Sequence, residues 1–343
     1  MKSAKNLIQS LEICNQRHGL FKKNDSLVLA VSGGPDSVAL MELFVLLRRK
    51  YSLKLTVAHV NHGFVPKASG EHETRVKQLC RELSLPFYSV KINLKREAKR
   101  LKRSLEETGR IKRYEFLEKV AFKTKSRCIV TAHTLDDQAE TVLLRILRGS
   151  GVKGLCGIPA KRNQGRFKLI RPLLDVEKRD LKLFLKRNGV YFCTDKTNTD
   201  RMFARNRVRH DLLKILARDY NPGIKKSLAN LQIISRDIQE FLEKTALKVF
   251  KRCRGVKKQG GVTLRVEKLK KYPLALQREV IVQAIQKIQG HLKRIELSHI
   301  SAILDILHSE TKKTLQIHLP NSLVAHRRLN LLTLNSNKTI IQA

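Results

Sequence analysis

Six consecutive residues hold the densest chemical potential in the chain: Ser32, Gly33, Gly34, Pro35, Asp36 and Ser37. Leu27 to Val31 before them is a short apolar run, and Val38 to Leu47 after them is mostly apolar. The pattern predicts a strand, a tight loop and a helix. Glycine lacks a Cβ and enters positive φ freely, so a Gly-Gly turn lets backbone N–H groups converge on one point. The helix start adds partial positive charge there, Pro35 suits a first helical turn, and two serine hydroxyls add donors. Such a cradle suits a phosphate. The alternative is an ordinary βα turn with a serine cap; two serines and an aspartate at one junction favour the cradle. Neither Gly-x-x-x-x-Gly-Lys-Ser/Thr nor Gly-x-Gly-x-x-Gly occurs in the chain, so the usual lysine grip on a γ-phosphate is missing.

A second cluster lies a hundred residues downstream. Arg127 to His133 reads as a strand, and Thr134-Leu135-Asp136-Asp137-Gln138-Ala139-Glu140-Thr141 opens a helix that stops at Gly149-Ser150-Gly151. Acids at a helix start are often caps. Asp137 and Glu140, however, are (i, i+3) on one helical face, and His133 stands at the strand tip. If these three meet the serine–glycine loop at one sheet end, the acids repel a phosphate. Something cationic should then stand between them: a metal ion, a basic side chain or a cationic substrate. Arg205 and Arg209, at i and i+4 of a later helix, form either a solvated face or a phosphate grip, and their nearness to a nucleotide site favours the grip.

The remaining elements fall in around these two clusters. Residues 3–19 have helical spacing through Leu7, Ile8 and Leu11. Leu53 to Val60 and Phe87 to Ile92 read as strands, and 151–174 as a linker with an edge hairpin. Alternation of strands and helices predicts an α/β fold with a doubly wound, mostly parallel sheet, its ligands at the strand carboxyl ends. His59 and His62 at the second strand end are read as lining the adenine and ribose side of a nucleotide pocket; with no third ligand nearby, a metal pair is the weaker reading. Lys95 to Lys112, just before Arg113 and Tyr114, is a candidate RNA-facing ridge. The domain break is placed near Tyr220-Asn221-Pro222-Gly223, which divides the chain into 1–216 and a mainly helical 217–343. That second part carries a basic loop with Lys251, Arg252, Arg254, Lys257 and Lys258.

The bulk numbers narrow the partners. The 343 residues hold 70 Lys and Arg against 30 Asp and Glu, a formal charge of +40. A thermophile's lysine-rich surface would carry matching glutamate. An excess this large points to nucleic acid. The six cysteines include no Cys-x-x-Cys pair, so they read as scattered thiols of a reducing cytoplasm. No leader and no membrane span is expected, because no apolar run approaches the roughly 20 residues a bilayer needs.

The serine–glycine loop resembles the pyrophosphate loop of the N-type ATP pyrophosphatases, whose pattern is Ser-Gly-Gly-x-Asp-Ser. Together with Val60-Asn61-His62-Gly63, the run from His133 to Arg145, Arg148-Gly149-Ser150-Gly151, Arg171-Pro172-Leu173-Leu174, Asp195 to Asp200 and Arg205-Asn206-Arg207-Val208-Arg209, it resembles the tRNA(Ile)-lysidine synthetases across roughly residues 25–215. Asn61 departs from the aspartate some members carry there. The resemblance implies an adenine nucleotide α-hydrolase-like fold and a two-step reaction. ATP adenylates the C2 oxygen of the wobble cytidine in the CAU anticodon of an isoleucine tRNA, and free L-lysine then displaces AMP. It further implies ATP phosphates on Ser32, Gly33, Gly34, Pro35, Asp36 and Ser37, with Mg²⁺ reached through Asp36. Arg113 and Arg205 would neutralise the α-phosphate and the leaving pyrophosphate, and His133 would assist near the reacting base. Asp137 and Glu140 would hold the lysine, with Asp137 as candidate acceptor of the amine proton. The implied partners are that tRNA, L-lysine and, as an assembly, a second copy of the chain, all in the cytoplasm. A tRNA thiolase fits less well because it generally needs paired cysteines. GMP- or NAD-synthetase relatives have no need of +40, and an inactive RNA-binding protein has no need of the assembled acids and arginines.

Overall fold

The computed structural model describes residues 4–61, 66–193, 201, 204–255, 261–311 and 313–336. His62, Gly63, Asp195 to Asp200, Phe203, Lys257 and Lys258 lie outside the described residues. The chain forms two compact units, Met1–Ile233 and Ile234–Ala343.

The first unit opens with α1 (Ala4–His18), β1 (Ser26–Ala30), α2 (Pro35–Tyr51), β2 (Lys54–Asn61), α3 (Pro66–Glu82) and β3 (Phe87–Lys91). Then come α4 (Leu94–Leu101), α5 (Leu105–Lys123), β4 (Cys128–Val130), α6 (Leu135–Leu147), the short α7 (Val152–Leu155), β5 (Lys161–Gln164), β6 (Phe167–Ile170) and α8 (Lys178–Arg187). After α9 (Ala204–Arg207) and α10 (Leu213–Ile215), each followed by a wide helical turn at Val208–Leu212 and Leu216–Tyr220, the long α11 (Ile224–Cys253) begins. The sequence reading put the break at 216/217; the division between compact units falls within α11.

The six-stranded sheet has the order β3-β2-β1-β4-β6-β5. All neighbours are parallel except the β5–β6 hairpin at the edge. The chain leaves β1 toward β2 and β3, then returns to lay β4 on the other side of β1, with Leu27 opposite Cys128 and Leu29 opposite Val130. That reversal makes the carboxyl ends of β1 and β4 the switch point where open α/β sheets bind ligands.

Strand residues alternate between two apolar layers. Leu27 and Leu29 face one core with Leu40, Leu43, Phe44 and Leu47 of α2. Val28 faces the other with Leu117, Val120 and Ala121 of α5. Sandwiched strands buried on both faces account for the continuous apolar run of β1. Helix α2 is apolar on most of its surface because it lies over the sheet centre, and Leu40, Met41, Leu43 and Phe44 are fully buried.

In the second unit, the helices α12 (Val266–Lys270), α13 (Leu274–Gln289) and α14 (Leu297–His308) accompany β7 (Gly261–Arg265), β8 (Leu315–Leu319), β9 (Leu323–Arg328) and β10 (Leu331–Ser336). The expected helices are present, joined by an antiparallel sheet of order β7-β10-β9-β8. Strands of five or six residues give only a weak periodic signal. Arg327 proves structural: its Nη1 donates to the carbonyls of Ile306 and Leu307 at 3.0 and 3.1 Å, and to that of Ser309, closing the end of α14.

Candidate active site

The cradle forms as its composition requires. Gly33 takes φ +90°, a conformation L side chains rarely adopt, and a Cβ there would press on Val76 and His72 at 3.4–3.5 Å. Pro35 is the first residue of α2 after Gly34. Ser37 Oγ accepts the Ser32 N–H at 3.1 Å and donates to the Gly34 carbonyl at 2.9 Å, which draws the loop into a ring. The N–H groups of Asp36 and Ser37, in the first helical turn, have no intrahelical acceptor and stand at the positive end of α2.

At the next strand tip, Thr134 and Asp137 form a capping box at the start of α6. Asp137 Oδ2 accepts from the Thr134 N–H at 2.9 Å and from its hydroxyl at 3.0 Å. Capping therefore uses one oxygen only. The other, Oδ1, faces the cleft, where Lys178 Nζ stands at 3.1 Å, Arg205 Nη2 at 3.1 Å and Arg209 Nη2 at 3.5 Å. Glu140, 1% exposed, takes Arg205 Nε at 2.8 Å and both Nε and Nη2 of Arg209. Asp136 points away: it accepts the Lys178 backbone N–H at 2.8 Å and Lys225 Nζ at 2.5 Å, which fixes the starts of α8 and α11 against α6.

Lys178 is the residue that joins the two clusters. Its Nζ lies 3.5 Å from Asp36 Oδ2 and 3.1 Å from Asp137 Oδ1. The serine–glycine loop and the acidic helix thus share one cleft, and a basic side chain answers the charge problem posed by the sequence. Nothing in the periodicity singled Lys178 out, yet one signal was present. A lysine at the first position of a helix opposes the macrodipole, and such local violations gather at functional sites. Arg171, 3% exposed at the end of β6, was also missed; its motif was noted but not its position beside His133.

The electrostatics divide the three acids. Burial raises Asp36 to about 6, with Asp137 and Asp136 adding to the shift and Lys178 opposing it. Its Oδ1 is buried and has no hydrogen-bond partner. Burial works against the charge on Asp137, but Lys178, Arg205 and His133 together hold its carboxyl far below the usual range. The same neighbours keep Lys178 charged: burial opposes its proton, and Asp137, Asp36 and Glu140 overcome that. His133 is driven down to about 3 by burial and by the cations Arg171, Arg205 and Arg113, against the pull of Asp137. Its imidazole is neutral, with Nδ1 on the Thr131 hydroxyl at 3.0 Å. Arg113 is within electrostatic reach of that ring.

Four expectations need correction. Arg205 and Arg209 grip carboxylates, because the buried Asp137 and Glu140 are the nearest counter-charges to both. Asp137, ion-paired to three cations, has too little proton affinity to deprotonate an amine. His59 does not line a pocket: it is 2% exposed, and its Nδ1 meets the Val31 carbonyl at 2.8 Å, holding the end of β1. The Lys95–Lys112 ridge is partly neutralised from within, through Arg100 on Glu97, Arg103 on Glu107, and Lys112 on Glu97 and Glu115. Among the described residues, no group of three or more His, Cys, Asp or Glu could enclose a metal, and no helix is long and apolar enough to cross a membrane.

Residues 3–216 match the family model described as a PP-loop domain. The chain is similar to proteins named tRNA(Ile)-lysidine synthase: 36% identical over 324 residues to that of Geobacter sulfurreducens, covering 94% of this chain and 68% of the relative. The protein of that name from Caldanaerobacter subterraneus subsp. tengcongensis is 30% identical, again over 94% of this chain and 68% of its own length. The chain thus spans about two-thirds of these relatives. Among solved structures, the U34-tRNA thiolase NcsA from Methanococcus maripaludis superposes with a TM-score of 0.54 at 18% identity, over 68% of this chain and 80% of that one, a likeness of fold.

Proposed function

This chain belongs to the tRNA(Ile)-lysidine synthase family, and from that premise and the shared cleft we infer that it is an ATP-dependent ligase of tRNA. It joins L-lysine to C2 of the wobble cytidine in the CAU anticodon of isoleucine tRNA and releases AMP and pyrophosphate. In the first step the C2 oxygen of the base attacks the α-phosphorus, and the bond to the β-phosphate breaks. In the second the ε-amine of lysine bonds to C2, AMP departs with the former base oxygen, and the amine loses its extra protons.

The observation that carries this reading is the place of Lys178. A primary ammonium sits between Asp36, beside the phosphate cradle, and Asp137, on the acidic helix. This placement supports a site that holds a lysine ε-ammonium next to a nucleotide phosphate. The substrate amine takes up the same charge pattern on Asp137 and Glu140, and Lys178 is then available to the phosphates. Ser32, Gly33, Gly34 and Ser37 bind those phosphates through backbone and hydroxyl donors. Arg113 meets the charge that develops on the α-phosphate and the leaving pyrophosphate, while Arg205 holds the two acids, Asp137 and Glu140, in place. Neutral His133 offers Nε2 to the base or phosphate.

The orphaned Oδ1 of Asp36 fits Mg²⁺, which commonly uses one or two carboxylates plus substrate phosphates. Bound there, the ion would neutralise phosphate charge and favour pyrophosphate departure. Asp137 holds rather than deprotonates the amine, whose proton passes to water.

The test is incubation with ATP, labelled L-lysine and isoleucine tRNA bearing CAU. Label entering the tRNA, with one AMP formed per lysine, is the expected result. Label that stays free while ATP is consumed, or sulfur transferred instead, would overturn the reading.

A further inference from the structure

Beside the reacting cleft lies a second opening whose residues the two-step chemistry does not use. A cavity of about 360 Å³ is lined by Arg110, Tyr114 and Arg162, among others, between α5 and the β5–β6 hairpin. Ligand cavities span roughly 300–1,000 Å³, so one nucleotide is the size of guest it takes. Two guanidinium groups lie near the Tyr114 ring, Arg162 at 5.1 Å and Arg110 at 5.7 Å from its centroid.

The acids at the rim are already engaged. Glu107 is held by Arg103, Glu115 by Lys112, and Glu118 accepts from Gln164 at 2.7 Å. Among the described residues neither Arg110 nor Arg162 has an ion-pair partner. Arg162 Nε is buried with no hydrogen-bond acceptor, and so is Nε of Arg171 just behind. A buried N–H without an acceptor calls for an explanation, and two of them beside one cavity lined by arginines are donors that a guest in it can use.

The cavity communicates with the chemistry. The Tyr114 hydroxyl is close enough to Arg171 to bear on its charge, Arg171 acts on His133, and His133 acts on Asp137. These groups lie at the carboxyl end of the sheet: Lys161, next to Arg162, pairs with Ile170 at the end of β6, and Arg171 follows it.

We propose that the Arg110–Tyr114–Arg162 cavity receives one unstacked nucleotide of the anticodon loop adjoining the wobble cytidine. Its base stacks on a guanidinium plane, and its phosphate or base edge accepts from the free N–H groups. Single-stranded RNA is recognised in this way, by splayed bases on aromatic and arginine planes. Holding the neighbour draws the wobble base out of its stack and toward His133. The inference rests on the tRNA reading above and names the part of the protein that grips the loop.

The experiment uses a fluorescent anticodon stem-loop RNA with CAU, and copies with an abasic site at each loop position flanking the cytidine. Binding to wild type, to Arg110→Ala/Arg162→Ala and to Arg110→Lys/Arg162→Lys is followed by anisotropy. The Ala pair is expected to weaken the intact RNA roughly tenfold or more. One abasic position should weaken wild type by a similar factor and the variant hardly further. The Lys pair, which keeps charge but lacks the plane, should show the same loss of coupling, and it serves if the Ala pair does not fold. Equal losses on every protein at every abasic position would overturn the proposal, as would unchanged binding by both pairs. Lysine transfer without coupling removes the cavity alone; coupling without lysine transfer removes the reaction alone.

Discussion

Arg209 closes a two-point contact on Glu140, with Nε 2.5 Å from Oε1 and Nη2 2.8 Å from Oε2. The planar fork of arginine matches a carboxylate, and the pair ties α6 to the helical turn at Val208–Leu212. Glu140 is 1% exposed, whereas Arg209 and Arg205 are 26% and 41% exposed. Breaking a fully buried pair costs about 3–5 kcal/mol, and this partial exposure lowers the figure to roughly 2–3 kcal/mol. Glu140→Gln is expected to lose that much in urea unfolding and to lose lysine transfer as well. Wild-type stability for this variant would show that the contact holds nothing together.

Asp36 should impose a pH dependence on both stability and activity. Its folded value of about 6 is above the ordinary 3.8, so the folded state favours the protonated acid. The resulting stabilisation is complete below 3.8 and is lost as pH rises through 6, a difference of about 3 kcal/mol at most. Asp36→Asn should therefore melt higher than wild type at pH 8 and equally at pH 3.5. With Mg²⁺ held by this carboxylate as proposed, activity runs the other way: KM for Mg²⁺-ATP should rise as pH falls from 7 to 5. Lys178→Met removes a cation that opposes the shift and should move that limb to higher pH. A limb in the same place for Lys178→Met would separate the two residues.

His133 carries the opposite linkage. A base pushed from 6.5 to about 3 contributes full stability above 6.5 and loses it as pH falls toward 3, by about 1.4 kcal/mol per pH unit. His133→Gln should flatten that part of the acid-unfolding curve. No limb from His133 is expected in the rate profile between pH 6 and 8. Such a limb in the wild type, absent from His133→Gln, would contradict a neutral imidazole.

The second unit presents Lys251, Arg252 and Arg254 on its surface, and Arg252 also lines a cavity of about 430 Å³ with Lys268, Lys271 and Tyr272. If these residues meet tRNA phosphates, replacing Lys251, Arg252 and Arg254 with Ala should weaken the full tRNA and lessen the slope of log K against log salt by up to about three. The anticodon stem-loop alone should be less affected. An unchanged salt slope would place the phosphate contacts elsewhere.

The strand–loop–helix at Ser32 to Ser37 was legible because a Gly-Gly turn with two serines and an aspartate stands between an apolar strand and an apolar helix. The acidic helix was legible because its acids repeat at helical spacing. Asp137 shows the limit of that reading: capping and cleft were treated as rivals, and the residue does both, one oxygen for each. The weakest part of the reading was who pairs with whom. Arg205 and Arg209 were assigned to phosphates, since a sequence shows charge but not the nearest counter-charge.

By itself the amino-acid sequence determined the strand–loop–helix cradle, the α/β alternation, the acids at the head of α6 and a cationic surface suited to RNA. Each follows from residues close together in the chain or from composition. Only the tertiary structure decided that β4 lies against β1 rather than beyond β3, and so that Lys178 reaches Asp36 and Asp137 together. Parallel strand order rests on contacts between segments a hundred residues apart, and local periodicity carries no record of which strands become neighbours.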